Sequence, residues 1–335
     1  MVLTSIIIIM FSSILQNLFL LTLIFFNSII ASIETLIVKL IVLFVIKIEM
    51  ESHKKQLGKN GFCVFEKVFN PIDLEQIVKT SLKAVETLTP DQRKNFKSQG
   101  SLIQLADYPE FSDLICHQKL MNIFLKLGFS DTRFSSGYII SKPPKAPALF
   151  WHQDWWGWEN PISYTDQVAQ LFVMIYLQDT TKNNGCLRVV PGSHRNPHFL
   201  HDNDKAHTES VSRVEDSQDT LYLSVDEEKP VTVQFGDVVV GDARLLHGAF
   251  PNQTYDERTL ITLWFHPNYE SLPESVQVRI REIFIRKEVD TDPDGANSMS
   301  LYDWPQKNRD LVEPLFPLCP EDVEPEAWNR RPKWT

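Results

Sequence analysis
The chain has few cysteines, and none stands close to another: Cys63, Cys116, Cys186 and Cys319 are widely separated, with no C-x-x-C. A zinc ribbon and a dithiol redox site are thereby disfavoured, and reduced thiols of a cytoplasmic protein are the expectation. No cluster of Lys and Arg offers the basic footprint that a phosphate backbone requires, so nucleic acid is not an expected partner. The formal net charge of -10 is carried after residue 49, because two lysines in the leader balance two glutamates. That balance disfavours a large polyanion as substrate. No internal repeat or low-complexity tract follows residue 50, and H-E-x-x-H is absent. What is present is ample: 335 residues, 43% of them hydrophobic, can build one large domain or two ordinary ones around a real core.

Charge is also missing from the start of the chain, where nothing ionisable precedes Glu34. The run MVLTSIIIIMFSSILQNLFLLTLIFFNSIIAS exceeds the roughly 18 apolar-dominated residues that suggest a membrane span. A weaker stretch over 36–48 is interrupted by Lys39. A secretory signal fits badly, since the positive n-region is lacking and the run is too long. Two readings stay open for residues 1–49. As an anchor, the leader would use Lys47, Lys54, Lys55 and Lys59 to hold the following domain on the cytoplasmic side. Alternatively Met50 is the start, because MESHKKQLGKNGF reads as a soluble N-terminus and the preceding Ile/Leu/Phe/Ser/Asn mixture resembles translated A/T-rich non-coding sequence.

From residue 50 the pattern is globular. A strand is expected over 61–68, then a helix capped by Asn70 with Pro71 in its first turn, its apolar stripe formed by Leu74, Ile77, Val78, Leu82 and Val85. A second helix is expected over 109–127. Short strands follow over 134–140, 168–177, 186–190, 231–235, 238–241 and 258–265, punctuated by Pro, Gly and Asn. That succession predicts a mainly β sandwich or jelly-roll barrel with flanking helices. Residues 193–228 read as a long insertion loop, a lid or binding element. Ser271 to Glu274 form a capping-box pattern ahead of Val276, Ile280, Ile283 and Phe284 on one helical face, and beyond Asp290 the chain should run irregularly over the surface. The expected organisation is a leader at 1–49, a catalytic domain at 50–270 and an extension at 271–335.

The chemistry centres on His152-Gln153-Asp154. Two positions apart on extended backbone, His152 and Asp154 project to the same side. A third ligand should come from a distant strand, and GDVVVGDARLLHG delivers His247. Two imidazoles and a carboxylate occupy one face of an octahedral metal and leave the other open, the arrangement of non-haem Fe(II) oxygenases. Arg258 opens the β-prone RTLITLWF and shares a face with Leu260, Thr262 and Trp264. An arginine in such an apolar row needs an anion, and a carboxylate matches its fork.

These motifs together resemble the phytanoyl-CoA dioxygenase family of Fe(II)/2-oxoglutarate oxygenases. The likeness rests on Lys142-Pro143-Pro144, on the HQD tripeptide, on NNGCLRVVPGSH at 183–194, on the Gly-Asp with its following histidine at 236–247, and on the placing of Arg258. It covers roughly residues 55–268. The resemblance implies a double-stranded β-helix of cupin type, Fe(II) on His152, Asp154 and His247, and O2 and 2-oxoglutarate as cosubstrates with Arg258 as the 2-oxoglutarate clamp. Tyr138 falls at a position where the family has another cofactor-contacting side chain, although its residue type differs. Hydroxylation of a small organic or lipid-like substrate, with release of succinate and CO2, is the implied activity.

Two departures put acyl-CoA specificity in doubt: the Trp-rich segment 155–167 and the long loop after His194. Trp155, next to a ligand, and Arg244, which can meet an anionic substrate or pair with a carboxylate, are the candidate substrate contacts. Histidines 198, 201 and 207 lack metal-ligand spacing and read as solvated loop residues, while His194 reads as a turn residue. The rival functions are a zinc hydrolase, against which the absence of H-E-x-x-H stands, and a non-catalytic metal- or ligand-binding barrel, against which the ligand set and Arg258 argue.

Overall fold
The computed structural model describes residues 51–285, 300–318 and 320–334. From His53 onward they form one compact unit. The leader expected at 1–49 lies outside the described residues; among those described, no helix is long and apolar enough to cross a membrane.

Ten strands carry the fold: β1 (Phe62–Phe65), β2 (Ile103–Gln104), β3 (Thr132–Lys142), β4 (Leu149–His152), β5 (Leu171–Tyr176), β6 (Leu187–Val189), β7 (Lys229–Val231), β8 (Val238–Asp242), β9 (His247–Ala249) and β10 (Arg258–Pro267). They pair antiparallel into a six-stranded sheet, β1-β8-β5-β10-β3-β2, and a four-stranded sheet, β4-β9-β6-β7. This is the expected jelly roll. Strand β5 reads LFVMIY and is buried at every position, because both of its faces are covered. Alternation sends Leu171, Val173 and Ile175 outward against the helices. Phe172, Met174 and Tyr176 point inward, where they meet Leu187, Val189 and Leu260 inside the barrel.

The helices form where local chemistry allows. Asn70 accepts from the Asp73 amide at 3.0 Å and Asp73 accepts from the Asn70 amide at 2.7 Å, a reciprocal cap that starts the helix Pro71–Glu86. The single helix expected over 109–127 is instead a 3-10 turn (Pro109–Phe111) and two helices, Ser112–Ile115 and Gln118–Leu127. The break falls at His117, whose Nδ1 accepts from the Lys119 amide at 3.1 Å and so recaps the chain.

The segment 193–228 is not an open loop. It contains a short helix (Glu209–Arg213) and 3-10 turns at Phe199–Asp202 and Thr220–Tyr222, tied down by Arg188 of β6. That side chain is 1% exposed, donates from Nη2 to Leu149 O at 2.9 Å and Tyr222 O at 3.2 Å, and donates from Nη1 to Leu223 O at 3.2 Å. Its guanidinium lies 4.2 Å from the centre of the Trp151 ring. A buried cation therefore fastens the segment to β4, the strand that ends in His152. Arg188→Met keeps most of the stem but leaves those carbonyls unbonded, and is expected to cost about 3 kcal/mol. The measurement is the urea midpoint at constant m-value; an unchanged midpoint would show that this cation does not fasten the segment.

Candidate active site
Strands β4 and β9 pair so that His152 and His247 stand directly opposite each other. Their ring centres are 4.2 Å apart. Gly248 permits this approach, since a Cβ there would meet Leu149 O at 2.9 Å and Phe150 O at 3.1 Å. Each imidazole is oriented in the same way: Nδ1 of His152 is 3.0 Å from Phe150 O, and Nδ1 of His247 is 3.0 Å from Leu245 O. A carbonyl can only accept, so both Nδ1 atoms carry the proton and both Nε2 lone pairs are left for a Lewis acid.

Asp154 follows the end of β4. Its amide and that of Trp155 both donate to Ala243 O, at 2.8 and 2.9 Å, which fixes the turn after β8 against the HQD segment. Oδ1 lies 3.6 Å from His152 Nε2 and Oδ2 lies 3.7 Å from His247 Nε2. Those separations are too long for hydrogen bonds. Nor is the His152 contact an ion pair, because burial first, and the neighbouring His247 second, push its pKa down to about 3 and keep the ring neutral. The three donor atoms lie within 4.8 Å of one another, the one such group among the described residues. Two imidazoles with Nδ1 turned to carbonyls and a carboxylate, gathered without hydrogen-bonding each other, fit a divalent metal. Trp264 of β10 donates from Nε1 to Asp154 Oδ2 at 2.9 Å and holds the carboxylate from the opposite sheet.

A cavity of about 680 Å³ opens over this group. Arg258, Leu260, Thr262 and Trp264 all line it, as the alternation along β10 requires. Arg258 is 3% exposed, and neither its Nε nor its Nη1 has a partner. Among the described residues no carboxylate pairs with it. Burial lowers its pKa from the ordinary arginine value, yet a guanidinium stays charged in a protein. The nearby Thr262 Oγ1 is also buried without a partner. Tyr138 lines the same cavity, opposite Thr262 in register and edge-on to Trp264 at 5.6 Å.

The two candidate substrate contacts lie elsewhere. Trp155 is fully buried in a separate cluster with Trp156, Trp158, Tyr269 and Val276, and donates from Nε1 to Ser163 Oγ at 2.7 Å. Arg244 pairs with Asp242 at 2.7 Å and donates to the carbonyls of Ser163, Thr165 and Gln167. Neither side chain lines the cavity, because each has an internal role in shaping the wall behind it. The loop histidines are not simply solvated either. His201 is buried, and His207 packs edge-on against His152 with ring centres 5.0 Å apart.

Two contributions escaped the sequence. Trp264 was visible as a neighbour of Arg258 on one face, but nothing marked its bond to Asp154. Arg330 carried no local signal at all. It lies in the irregular C-terminal segment, yet its Nη1 donates to Gln153 O at 3.1 Å and Asp154 O at 3.0 Å. That segment is not a loose surface trace: the Asn329 amide donates to Trp156 O at 2.7 Å, and Trp328 stacks on Trp156 at 5.6 Å.

Such a donor set in a jelly roll, with a buried arginine that has unpartnered donor atoms, fits one class, the non-haem Fe(II)- and 2-oxoglutarate-dependent dioxygenases. Comparison with known proteins takes the assignment one step further. The model of phytanoyl-CoA dioxygenase (PhyH) matches residues 57–260, and the chain belongs to that family. A probable alpha-ketoglutarate-dependent hypophosphite dioxygenase of Stutzerimonas stutzeri is 23% identical over 64% of this chain and 77% of its own length. Phytanoyl-CoA dioxygenase 1 of Oryza sativa subsp. japonica is 30% identical over 38% of this chain, which spans 42% of that relative. The crystal structure of HygX from Streptomyces hygroscopicus with nickel, 2-oxoglutarate and hygromycin B bound is 19% identical at a TM-score of 0.49, covering 65% of this chain and 87% of that one.

Neutral burial of histidine has a consequence for stability. Burial pushes His201 and His266 down to about 4, alongside His152 at about 3, against an ordinary value of 6.5. In the metal-free protein these rings bind protons more readily when unfolded than when folded. Their contribution is therefore complete above about pH 6.5 and is lost as the pH falls towards 4. The urea midpoint should hold between pH 8 and 7 and fall between pH 6.5 and 5. A midpoint at pH 5 equal to that at pH 7.5 would contradict neutral burial.

Proposed function
We propose that this protein hydroxylates a small organic substrate, with His152, Asp154 and His247 holding Fe(II) and Arg258 receiving the distal carboxylate of 2-oxoglutarate. The observation that carries this reading is Arg258, a buried cation facing the cavity with two unpartnered donor atoms. When bound, the metal and its cosubstrate supply the oxidising chemistry, in which R–H, O2 and 2-oxoglutarate give R–OH, succinate and CO2.

The chain's own residues supply position and environment. Their carbonyl partners hold both imidazoles with Nε2 forward, and Trp264 prevents Asp154 from rotating its Oδ2 out of reach. Arg258, inside the barrel at the start of β10, would receive the distal carboxylate of 2-oxoglutarate, with Leu260 and Thr262 on the same face of the strand. Tyr138, across from Thr262, would form the side wall of that position. Leu149, Phe150, Leu187 and Leu260 line the same cavity and exclude water from it. A small-molecule substrate suits a cavity of this kind better than a polymer. The free cysteines Cys63 and Cys186 are buried and unpaired, which suits the cytoplasm.

The test uses anaerobic protein with Fe(II) and 2-oxoglutarate. A metal-to-ligand charge-transfer band is expected in the wild type and absent in His152→Ala. On admission of O2, succinate should form above the level of that variant. Arg258→Met should raise the half-saturating concentration of 2-oxoglutarate about 100-fold, as loss of one buried charge partner does. Without cosubstrate the same variant should unfold no earlier than the wild type, since it removes an unpaired buried charge. A wild type showing neither band nor succinate would sink the proposal, and a zinc hydrolase would retain zinc while ignoring 2-oxoglutarate.

A further inference from the structure
We infer that Arg330 is a second anion-binding residue of this cavity, and that the substrate is an amphipathic organic acid whose carboxylate it receives. The inference rests on the dioxygenase reading for the place of reaction, but its own observations are separate. Arg330 lies in the C-terminal strap, beyond the family-matched residues 57–260. Its side chain lines the 680 Å³ cavity and also a neighbouring one of about 280 Å³. Both cavities share His152 and His207 with it, so Arg330 stands in the wall where they meet.

All of the hydrogen bonds of this guanidinium leave from one nitrogen. Nη1 donates to Gln153 O and Asp154 O and lies 3.2 Å from His207 Nε2. Among the described residues, Nε and Nη2 have no partner and no carboxylate lies within ion-pair distance. Nε and Nη2 form the side-on edge of the fork, the edge that grips both oxygens of a carboxylate. Arg330 is part-buried, so its free edge is reachable from the cavity.

The remaining cations of the cavity do not compete for this role. Arg213 lines it but is already paired with Glu209 at 3.0 Å and donates to Asn95 at 3.1 Å. Arg258 is reserved for the cosubstrate under the reading above. One unpaired arginine accounts for the distal carboxylate of 2-oxoglutarate, and a second calls for a second anion. Across the cavity stand Leu88, Phe96, Leu102, Ile103 and Tyr108, an apolar wall suited to the hydrocarbon body of such an acid.

The strap is built to hold Arg330 in place. Trp328 stacks on Trp156 and lies under the Arg330 guanidinium at 5.0 Å. Trp158 donates from its amide to Asn329 O at 3.1 Å, Gln153 donates from Nε2 to Arg330 O at 2.7 Å, and Lys333 pairs with Glu159 at 2.9 Å. Trp334 packs beside Trp158 and Tyr164, with ring centres at 5.6 and 5.8 Å. The tryptophans after the HQD segment thus act as the seat of the strap.

The test titrates the full-length protein, loaded with Ni(II) and saturated with 2-oxoglutarate, with octanoate, methyl octanoate and octyl phosphate, following tryptophan fluorescence. Octanoate should bind about tenfold more tightly than its ester, the worth of one charge-assisted pair. Arg330→Gln should erase that preference, with the acid-to-ester ratio read at Ni(II) and 2-oxoglutarate concentrations that saturate the variant. Arg330→Lys, which keeps the charge but loses the fork, should retain part of it and guards against a folding defect in the first variant. Preference for octyl phosphate over octanoate would replace the carboxylate by a phosphate and overturn the stated class. An acid preference that is absent from wild type, or that survives in Arg330→Gln, overturns the inference. So does a joint loss of acid, nickel and 2-oxoglutarate binding, which would make Arg330 only a clamp on the HQD backbone. If wild type fails to bind 2-oxoglutarate at all, the dioxygenase reading falls, whereas the acid-to-ester ratio still judges Arg330.

Discussion
The structure depends on the cross-strand pair of His152 and His247. Facing histidines on antiparallel strands would ordinarily spread apart or take up water. Here Gly248 lets the strands approach, and each ring is pinned by its own strand through Nδ1 and the carbonyl two residues back. The pairing register therefore sets the donor atoms, and everything that secures β4 secures the site. Arg188 does so from the outer face of β6, Ala243 from the turn after β8, and Trp264 from the opposite sheet. A one-residue slip of β4 would turn His152 to the other face, so those fastenings have chemical as well as structural weight.

How far this could be read from the residues follows from how local each feature is. His152 and Asp154 share a segment, and Arg258 sits in an alternating row, so period-two geometry suffices to find them. The jelly roll was legible for the same reason, because short apolar strands between turn residues leave few other architectures. The helix over 109–127 was misjudged because its stripe of apolar residues hides a break made by the side chain of His117 acting on its own backbone. Trp155 and Arg244 were placed at the substrate because aromatic and cationic residues beside a ligand look available. Their partners, Ser163 and Asp242, become visible only in three dimensions. Arg330 was beyond reach, since its relation to Gln153 and Asp154 is purely tertiary.

Charge in the cavity obeys a simple constraint. A carboxylate flanked by two imidazole Nε2 atoms attracts a cation, and two arginines without carboxylate partners attract anions. Arg188 and Arg244, as buried as Arg258 and more so than Arg330, do not enter into this, because carbonyls and acidic side chains already surround them. The cavity thus distinguishes internally satisfied arginines from those left for a visitor, and only the second kind carries functional meaning.

The strap that brings Arg330 to the metal group is synthesised after the barrel it closes. Residues 57–260, the family-matched span that contains His152, Asp154 and His247, leave the ribosome before residues 326–334 do. The barrel's mouth gains its last wall only when Trp328 and Trp334 find the tryptophans of segment 155–158. On the readings proposed above, the residues for the metal and the residue for the substrate's charge thus come from separate stretches of the chain, made at different times.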